Sequence, residues 1–197
     1  MKVLFISAVI VIIDQATKLL VKGINIPFLN LHSAGLTRGY PVPILGNFFN
    51  LTFVENPGIA FGISFGAKYK LLISIITLLA SLALLIYLYI NRKRELSLRI
   101  SLAFILGGAF GNLIDRIFYG LIYGYAPLFH GKVVDFFDLK FLNFFIFNES
   151  FGHYVFNFAD VSVTAGVILL LFTINKRKVE SDVPASSIQH YLADNKE

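Results

Sequence analysis

Four long runs of apolar residues divide the chain, and polar segments of different lengths separate them. A helix needs about 20 mostly apolar residues to cross the hydrocarbon core of a membrane. Residues 71–90 form the clearest run, because they include no charged residue at all. On this pattern we predict an all-α integral membrane protein. Its four transmembrane helices should cover residues 3–21, 71–90, 100–119 and 155–174.

The first of these runs also resembles a secretory signal peptide. Lys2 is followed by an apolar stretch over residues 3–13, as in the start of such a peptide. No small-x-small cleavage site follows, and the run continues through Asp14 and Lys18 to residue 21. We therefore interpret it as a retained helix that carries charges inside the membrane.

The basic residues predict how the helices are oriented. Short loops rich in Lys and Arg stay on the cytoplasmic side. Such residues cluster in segment 91–99 and at 176–178, and Lys2 agrees with them. We therefore expect both termini in the cytoplasm and the long segments 22–70 and 120–154 outside it.

The two outer segments carry patterns of their own. Residues 47–54 alternate apolar and polar side chains, which is typical of a short half-buried strand. Residues 136–158 include nine phenylalanines, and we expect this segment to be an amphipathic outer loop at or in the membrane surface. Residues 1–178 would then form one domain. The polar tail at 179–197 is expected to be disordered in the cytoplasm.

Composition agrees with a membrane protein and excludes several kinds of chemistry. Of the 197 residues, 56% are hydrophobic and 15% are charged, whereas soluble domains average about 45–50% and about 25%. The chain has no cysteine, which excludes disulfides and thiol catalysis. The net charge of +5 follows from the clusters beside the helices, so we do not expect nucleic-acid binding. The four histidines lack the HExxH spacing of a zinc protease, and we expect neither a metal nor a cofactor.

Acidic residues converge on one layer of the predicted bundle. At about 1.5 Å per helical residue, Asp14, Asp115 and Asp160 all fall in the outer half of the membrane, and Asp135 follows in the outer segment. An ionisable side chain in a membrane helix costs about 2.5–3.5 kcal/mol on insertion scales. Several in one layer indicate that they act together.

Each of these residues also has a purely structural interpretation. Asp14 and Lys18 are spaced i, i+4 on a helix and would neutralise each other. Asp115 or its neighbour Arg116 would form a structural ion pair. Glycines nearby, at 107, 108 and 111, are typical of close helix packing.

The remaining acids have equally simple alternatives. Asn157 or Asp160 would cap the fourth predicted helix. Asp135 would be a solvated surface residue. Asn56 and Gly58 flank a proline in a segment whose composition alone predicts a turn.

Two nearby carboxylates suit one particular reaction. They cannot both ionise easily, so their pKa values separate. The ionised group can activate water while the protonated group assists the carbonyl and the leaving amine. Peptide hydrolysis at the outer membrane surface is therefore the leading hypothesis, although spacing does not say which two aspartates pair. A proton-coupled transporter and a membrane scaffold are the alternatives; the first predicts a repeat or broken helices, and no repeat is evident.

Five short sequence blocks resemble those of the lipoprotein signal peptidase (signal peptidase II) family, in that family's order. The blocks are 14–18 (DQATK), 56–61 (NPGIAF), 111–116 (GNLIDR), 133–136 (VVDF) and 156–160 (FNFAD). The resemblance implies an aspartic endopeptidase of the bacterial inner membrane. It would cleave diacylglyceryl-modified prolipoproteins just before the lipidated cysteine. It also implies a small extracytoplasmic β-cradle, contact with membrane lipid and inhibition by globomycin-type cyclic peptides, and we expect a monomer.

The resemblance also implies roles for individual residues. Asp135 and Asp160 would be the catalytic pair. The residues that bind substrate or support the site would be Asp14, Lys18, Asn56, Gly58, Asn112, Asp115, Arg116 and Asn157.

Overall fold

The computed structural model describes residues 2–26, 30–46, 48–58, 69–146 and 149–182. Within these residues, four strands follow the first of five α-helices, and two further strands precede the last helix. The helices are α1 (Leu4–Lys22), α2 (Lys70–Ile90), α3 (Leu96–Ile114), α4 (Gly120–Ile122) and α5 (Phe158–Asp182). A π-helix over Asp115–Tyr119 joins α3 to α4. The strands are β1 (Gly23–Ile26), β2 (Leu31–Ala34), β3 (Pro41–Leu45), β4 (Phe49–Asn56), β5 (Val133–Ile146) and β6 (Glu149–Phe156).

Four helical segments are long and apolar enough to cross a membrane, which confirms the predicted architecture. They are Leu4–Lys22, Lys70–Ile90, Leu96–Ile122 and Phe158–Asn175. The third extends beyond the predicted 100–119 at both ends, because α3, the π-helix and α4 are continuous. The fourth begins later than predicted, because β6 occupies residues 149–156. Helix α5 continues past the predicted domain end at 178, as far as Asp182.

Helix α3 is the centre of the bundle and packs against α1, α2 and α5. Glycines make this packing close, as predicted. A Cβ added at Gly108 would lie 2.3 Å from the carbonyl oxygen of Ala159, and one at Gly111 would lie 2.5 Å from the Asp14 carboxylate. The backbones of α3 and α5 can approach this closely only because no side chain lies between them.

Gly108→Ala should therefore destabilise the bundle more than Gly107→Ala. A Cβ at Gly108 would lie 2.3 Å from the carbonyl oxygen of Ala159, whereas the nearest atoms to one at Gly107 are Cβ and Cγ2 of Ile10 at 2.9 Å, so the clash at Gly108 is the more severe. Overpacking of this kind costs about 1–3 kcal/mol. Thermal unfolding in detergent, followed by circular dichroism, should show a clearly lower midpoint for Gly108→Ala. Equal midpoints for the two variants would contradict the close contact of α3 with α5.

The outer segments form more sheet than the sequence predicted. Strands β3-β4-β5-β6 form one antiparallel sheet, and β1 and β2 form a separate hairpin. The strand predicted at 47–54 is β4, displaced two residues along the chain. Most of the phenylalanine-rich segment 136–158, predicted as an amphipathic loop, lies in β5 and β6. Aromatic and β-branched residues favour strands, and β4 supplies the neighbour that β5 needs.

The π-helix was not predicted, and it organises the connection to β5. A π-helix frees carbonyl groups from the regular helical pattern and is often found at functional sites. Here the carbonyl of Arg116 accepts a hydrogen bond from the amide of Gly131 (2.9 Å), and that of Ile117 accepts one from Phe129 (3.1 Å). These bonds bring the loop after α4 back over the end of the third span. The start of β5 is thereby placed beside Asp115.

Candidate active site

Asp135 and Asp160 approach each other from two different elements. Asp135 is the third residue of β5, so it lies in a paired strand opposite Val54 rather than in a loop. It is only 3% exposed, which rules out the solvated-surface interpretation. Asp160 lies in the first turn of α5 and is partly exposed.

Asn157 binds both carboxylates. Its side-chain Nδ2 donates to Asp135 Oδ1 at 2.7 Å, and its backbone amide donates to Asp160 Oδ2 at 3.1 Å. Its Oδ1 accepts in return from the Asp160 backbone amide at 3.0 Å. This reciprocal pair is a capping box at the start of α5. The predicted capping role is therefore real, and the same contacts place Asp160 beside Asp135.

Asn112 provides a second link to Asp160. Its Nδ2 donates to Asp160 Oδ1 at 2.8 Å, and its Oδ1 accepts from Lys18 Nζ at 2.9 Å and from Asn157 Nδ2 at 3.0 Å. Because the oxygen is held by two donors, the amide nitrogen is turned towards Asp160. Both Asp160 oxygens therefore accept hydrogen bonds, which fixes the orientation of the carboxylate.

Asp14, Lys18 and Asp115 form a buried ionic triad beneath the pair. Lys18 Nζ lies 2.9 Å from Asp14 Oδ2 and 2.9 Å from Asp115 Oδ2, and all three side chains are 0% exposed. The predicted Asp14–Lys18 pair is thus present. Asp115 forms its ion pair with Lys18 rather than with Arg116. Within the part of the chain that the structure describes, no carboxylate lies within ion-pair distance of the Arg116 guanidinium.

Each support aspartate also holds the backbone immediately before a residue of the pair. Asp115 Oδ2 accepts from the amide of Val134 at 3.0 Å, next to Asp135. Asp14 Oδ1 accepts from the amide of Ala159 at 3.0 Å, next to Asp160. The triad therefore fixes the strand and the helix that carry the two carboxylates.

Gln15 and Tyr119 complete this network, although neither was predicted from the sequence as a site residue. Gln15 Nε2 donates to Asp115 Oδ1 at 2.9 Å and Asp14 Oδ2 at 3.1 Å, and the Tyr119 hydroxyl donates to Gln15 Oε1 at 3.1 Å. Helical spacing offered a signal for Gln15, because residues 15 and 18 share a face of α1. Tyr119 offered none, because its position depends on the π-helix.

Asn56 and Gly58 border Asp135 from the end of β4. Asn56 Nδ2 donates to Asp135 Oδ2 at 3.1 Å, and its Oδ1 accepts from the Gly58 amide at 2.9 Å. Gly58 has φ +108°, a conformation that favours glycine. A Cβ there would lie 3.7 Å from Arg116 Nη1, so the guanidinium reaches the same edge of the site. The turn predicted from composition is thus part of the site.

Burial shifts the pKa of Asp135, the more buried carboxyl group of the pair. Burial, with the nearby charge of Asp160, raises the pKa of Asp135 to about 7. The hydrogen bonds from Asn56 and Asn157 oppose that rise. At neutral pH the Asp135 carboxyl group can therefore hold a proton. Among the described residues, no three His, Asp or Glu side chains are arranged to hold a metal ion.

The fold and the site together define a class: a multi-pass membrane protein with an aspartic-peptidase type of carboxylate pair. A family model described as "Peptidase_A8: Signal peptidase (SPase) II" matches residues 6–176. The chain therefore belongs to the signal peptidase II family of aspartic peptidases, and it is a bacterial multi-pass membrane enzyme.

Individual relatives cover nearly the whole chain. A "Lipoprotein signal peptidase" of Moorella thermoacetica is 34% identical over 88% of this chain and 93% of its own length. One of Syntrophus aciditrophicus is 33% identical over 90% and 95%. Among solved structures, a "Bacterial membrane enzyme" determined by the in meso method superposes with a TM-score of 0.61. It is 28% identical over 93% of each chain.

Proposed function

We propose that this enzyme removes the signal peptide from diacylglyceryl-modified prolipoproteins, cutting before the lipidated cysteine, with Asp135 and Asp160 as the catalytic pair. One observation carries the assignment: Asn157 hydrogen-bonds to both carboxylates, one from β5 and one from α5. Among the aspartates near this end of the bundle, Asp14 and Asp115 are engaged with Lys18 and with backbone amides. Asp135 and Asp160 form no such ion pair among the described residues.

The burial of the two groups divides their roles. Asp160, the more exposed of the two, acts as the general base and takes a proton from a water molecule as the water oxygen attacks the scissile carbonyl carbon. Asp135, protonated below about pH 7, donates a hydrogen bond to the carbonyl oxygen and stabilises the charge that develops there. When the C–N bond breaks, the departing nitrogen receives the proton that Asp160 took from the water, and the new carboxyl group remains on the signal peptide. No covalent enzyme intermediate is involved.

The surrounding polar residues then have separate tasks. Asn112 and Asn157 orient the carboxylates, and the ionic triad fixes their backbones. Asn56, Gly58 and Arg116 lie at the edge of the site beside Asp135, which we call the rim, and would bind the substrate backbone. Arg116 suits this role because its guanidinium has five N–H donors and no carboxylate partner among the described residues.

The membrane position follows from the charges at the helix ends. The loop after α2 carries Arg92, Lys93 and Arg94, and this basic cluster supports a cytoplasmic position for the loop and for both termini. The pair then lies towards the outer leaflet, where the acyl chains of a lipidated cysteine would anchor the scissile bond. A monomer suffices, because one chain supplies every residue of the site. Globomycin-type peptides would compete for the same rim.

Mass spectrometry of the cleavage products tests the proposal. The purified enzyme, reconstituted in lipid, is given a prolipoprotein with its cysteine diacylglyceryl-modified, and separately the unmodified precursor as a control. We expect one new N-terminus, at the lipidated cysteine, and slow or no cleavage of the control. Cleavage elsewhere, or equal cleavage of both precursors, would refute the substrate assignment.

A further inference from the structure

A second cluster of charges lies at the same end of the bundle, on another face of the sheet. Glu55, in β4, accepts hydrogen bonds from Lys22 and Lys132, the latter at 3.2 Å, and forms an ion pair with Arg38 at 3.2 Å. We call Lys22, Arg38, Glu55 and Lys132 the Glu55 cluster. Three cations thus share one carboxylate, which leaves two positive charges in excess.

The Glu55 cluster is separate from the catalytic pair. Glu55 pairs with Val134 across the sheet, whereas its neighbour Val54 pairs with Asp135. Successive residues of a strand point to opposite faces, so Glu55 and Asp135 face different sides of the β4–β5 ribbon. A ligand on the Glu55 cluster would therefore not occupy the face on which Asp135 lies.

Aromatic rings surround Lys22, the most buried cation of the Glu55 cluster. Lys22 Nζ lies 4.3 Å from the ring centre of Tyr123, 5.3 Å from Tyr125 and 5.5 Å from Phe53. These rings stabilise the ammonium group by cation–π interactions and leave its positive charge in place. The Tyr125 hydroxyl also accepts from the backbone amide of Lys132 at 2.9 Å, which fixes the cluster's second lysine.

Donors in the cluster remain available to a ligand. Burial alone would raise the pKa of Glu55, but the hydrogen bonds and charges of Lys22 and Lys132 lower it, so the carboxylate stays ionised. Lys132 and Arg38 each use one side-chain donor on Glu55 among the contacts the structure describes. An ammonium has three N–H groups and a guanidinium has five. The Arg38 side chain is 58% exposed and that of Lys132 is 25% exposed, so both are accessible.

The cluster stands where lipid headgroups would lie. Lys22 is the last residue of the first span, and Tyr123 follows the third span, which ends at Ile122. The Tyr123 hydroxyl donates to Gly23 O at 2.9 Å and joins these two ends. Just inside this layer, the apolar side chains of Leu20 and Leu121 are exposed, as expected for contact with acyl chains.

We propose that the Glu55 cluster binds the phosphate of an anionic phospholipid in the outer leaflet. A phosphodiester complements the excess positive charge, and Lys and Arg at a helix end hold phosphate by charge-assisted hydrogen bonds. The acyl chains lie along Leu20 and Leu121. This lipid is not the substrate, because a diacylglyceryl thioether carries no phosphate. The bound headgroup strengthens the junction of α1, β4 and the start of β5. The inference rests on the four spans and on their proposed orientation, and not on the assignment of the catalytic pair.

Native mass spectrometry of the detergent-solubilised enzyme tests this site. Phosphatidylglycerol and phosphatidylcholine with identical acyl chains are titrated separately against wild type, Arg38→Gln, Lys132→Gln and the double variant. Each basic residue near an anionic headgroup contributes about 1 kcal/mol, or roughly fivefold in affinity. We expect wild type to prefer phosphatidylglycerol at least about tenfold, each single variant to lose about fivefold, and the double variant to lose the preference.

Arg92→Gln is the matched control. Arg92 also lies at a helix end over a tyrosine ring, 4.4 Å from the centre of Tyr89, but belongs to the opposite end of the bundle. It should keep the full preference. Loss of the preference in Arg92→Gln to the same extent would show general charge attraction and overturn the proposal. So would equal binding of the two lipids by wild type. Displacement of phosphatidylglycerol by an equal concentration of inorganic phosphate would mean a soluble anion site, and would overturn the lipid assignment.

Discussion

Asp160→Asn and Asp135→Asn are each expected to insert and fold but to cleave a lipidated prolipoprotein about 10³–10⁴-fold more slowly than wild type. Loss of a general acid or base typically lowers the rate about 10²–10⁴-fold. Here each substitution also leaves the remaining carboxyl group without the partner with which it shares a proton. An asparagine has nearly the shape of aspartate, so packing around Asn157 and Asn112 survives. Single-turnover cleavage in lipid nanodiscs, with circular dichroism to monitor folding, measures both consequences.

Asp138→Asn is the matched control for this pair of substitutions. Asp138 is also a buried aspartate of β5, but its Oδ2 accepts from Thr52 Oγ1 at 2.5 Å, away from the Asn157 bridge. The folded Asp138→Asn variant should cleave the prolipoprotein at a rate within a few-fold of wild type. If Asp138→Asn were as slow as Asp135→Asn, the loss would reflect general damage to the sheet and not removal of a catalytic group.

The largest effect on stability is expected from Lys18→Met. This change removes the cation between Asp14 and Asp115, each 2.9 Å from Lys18 Nζ, and leaves two buried carboxylates uncompensated. Breaking a buried ion pair in this way costs about 3–5 kcal/mol. Activity should fall too, because Lys18 donates to the side-chain oxygen of Asn112 and so keeps the side-chain nitrogen of Asn112 turned towards Asp160. Chemical unfolding in detergent gives the free energy of unfolding.

Two comparisons give this result its meaning. Lys93→Met, in the exposed loop after α2, removes the same charge and should leave the free energy of unfolding nearly unchanged. Adding Asp14→Asn and Asp115→Asn to Lys18→Met should restore part of the stability, because the uncompensated charges are gone. If Lys18→Met were as stable as Lys93→Met, the triad would not hold the fold together.

The sequence predicted the helices well because the membrane imposes a simple rule. About 20 apolar residues are needed for each span, and runs such as residues 71–90 satisfy that rule without tertiary information. The end of the third span was less predictable. Its extension to Ile122 depends on the π-helix over Asp115–Tyr119, which the returning loop stabilises through Gly131 and Phe129.

The sheet was underpredicted for a related reason. Strand β5 is rich in phenylalanine, and its hydrophobicity alone is equally compatible with a segment lying on a membrane surface. What makes it a strand is its pairing with β4, which is distant in the chain and so invisible to a local pattern. Because of that pairing, Asp135 is buried in a strand, whereas the sequence had placed it in an outer loop.

The aspartates of the site were all visible in the sequence, but their spacing did not divide their roles, and only the resemblance to the family implied that Asp135 and Asp160 form the pair. Ionisable residues in apolar helices attract attention by their cost, so Asp14, Asp115 and Asp160 were visible from the sequence. Only the contacts separate the aspartates bound to Lys18 from those bridged by Asn157. Spacing along the chain contains no information about which of them meet.

The pH dependence of kcat/KM tests whether Asp135 and Asp160 act as a carboxylate pair that shares one proton. Asp135, whose pKa is raised to about 7, is protonated and active below that pH and loses its proton above it. The account therefore predicts that kcat/KM declines above about pH 7. Because the hydrogen bond from Asn56 lowers this pKa, the decline should move to higher pH in Asn56→Ala. A profile that stays flat up to about pH 9, where both carboxyl groups would be ionised, would contradict it.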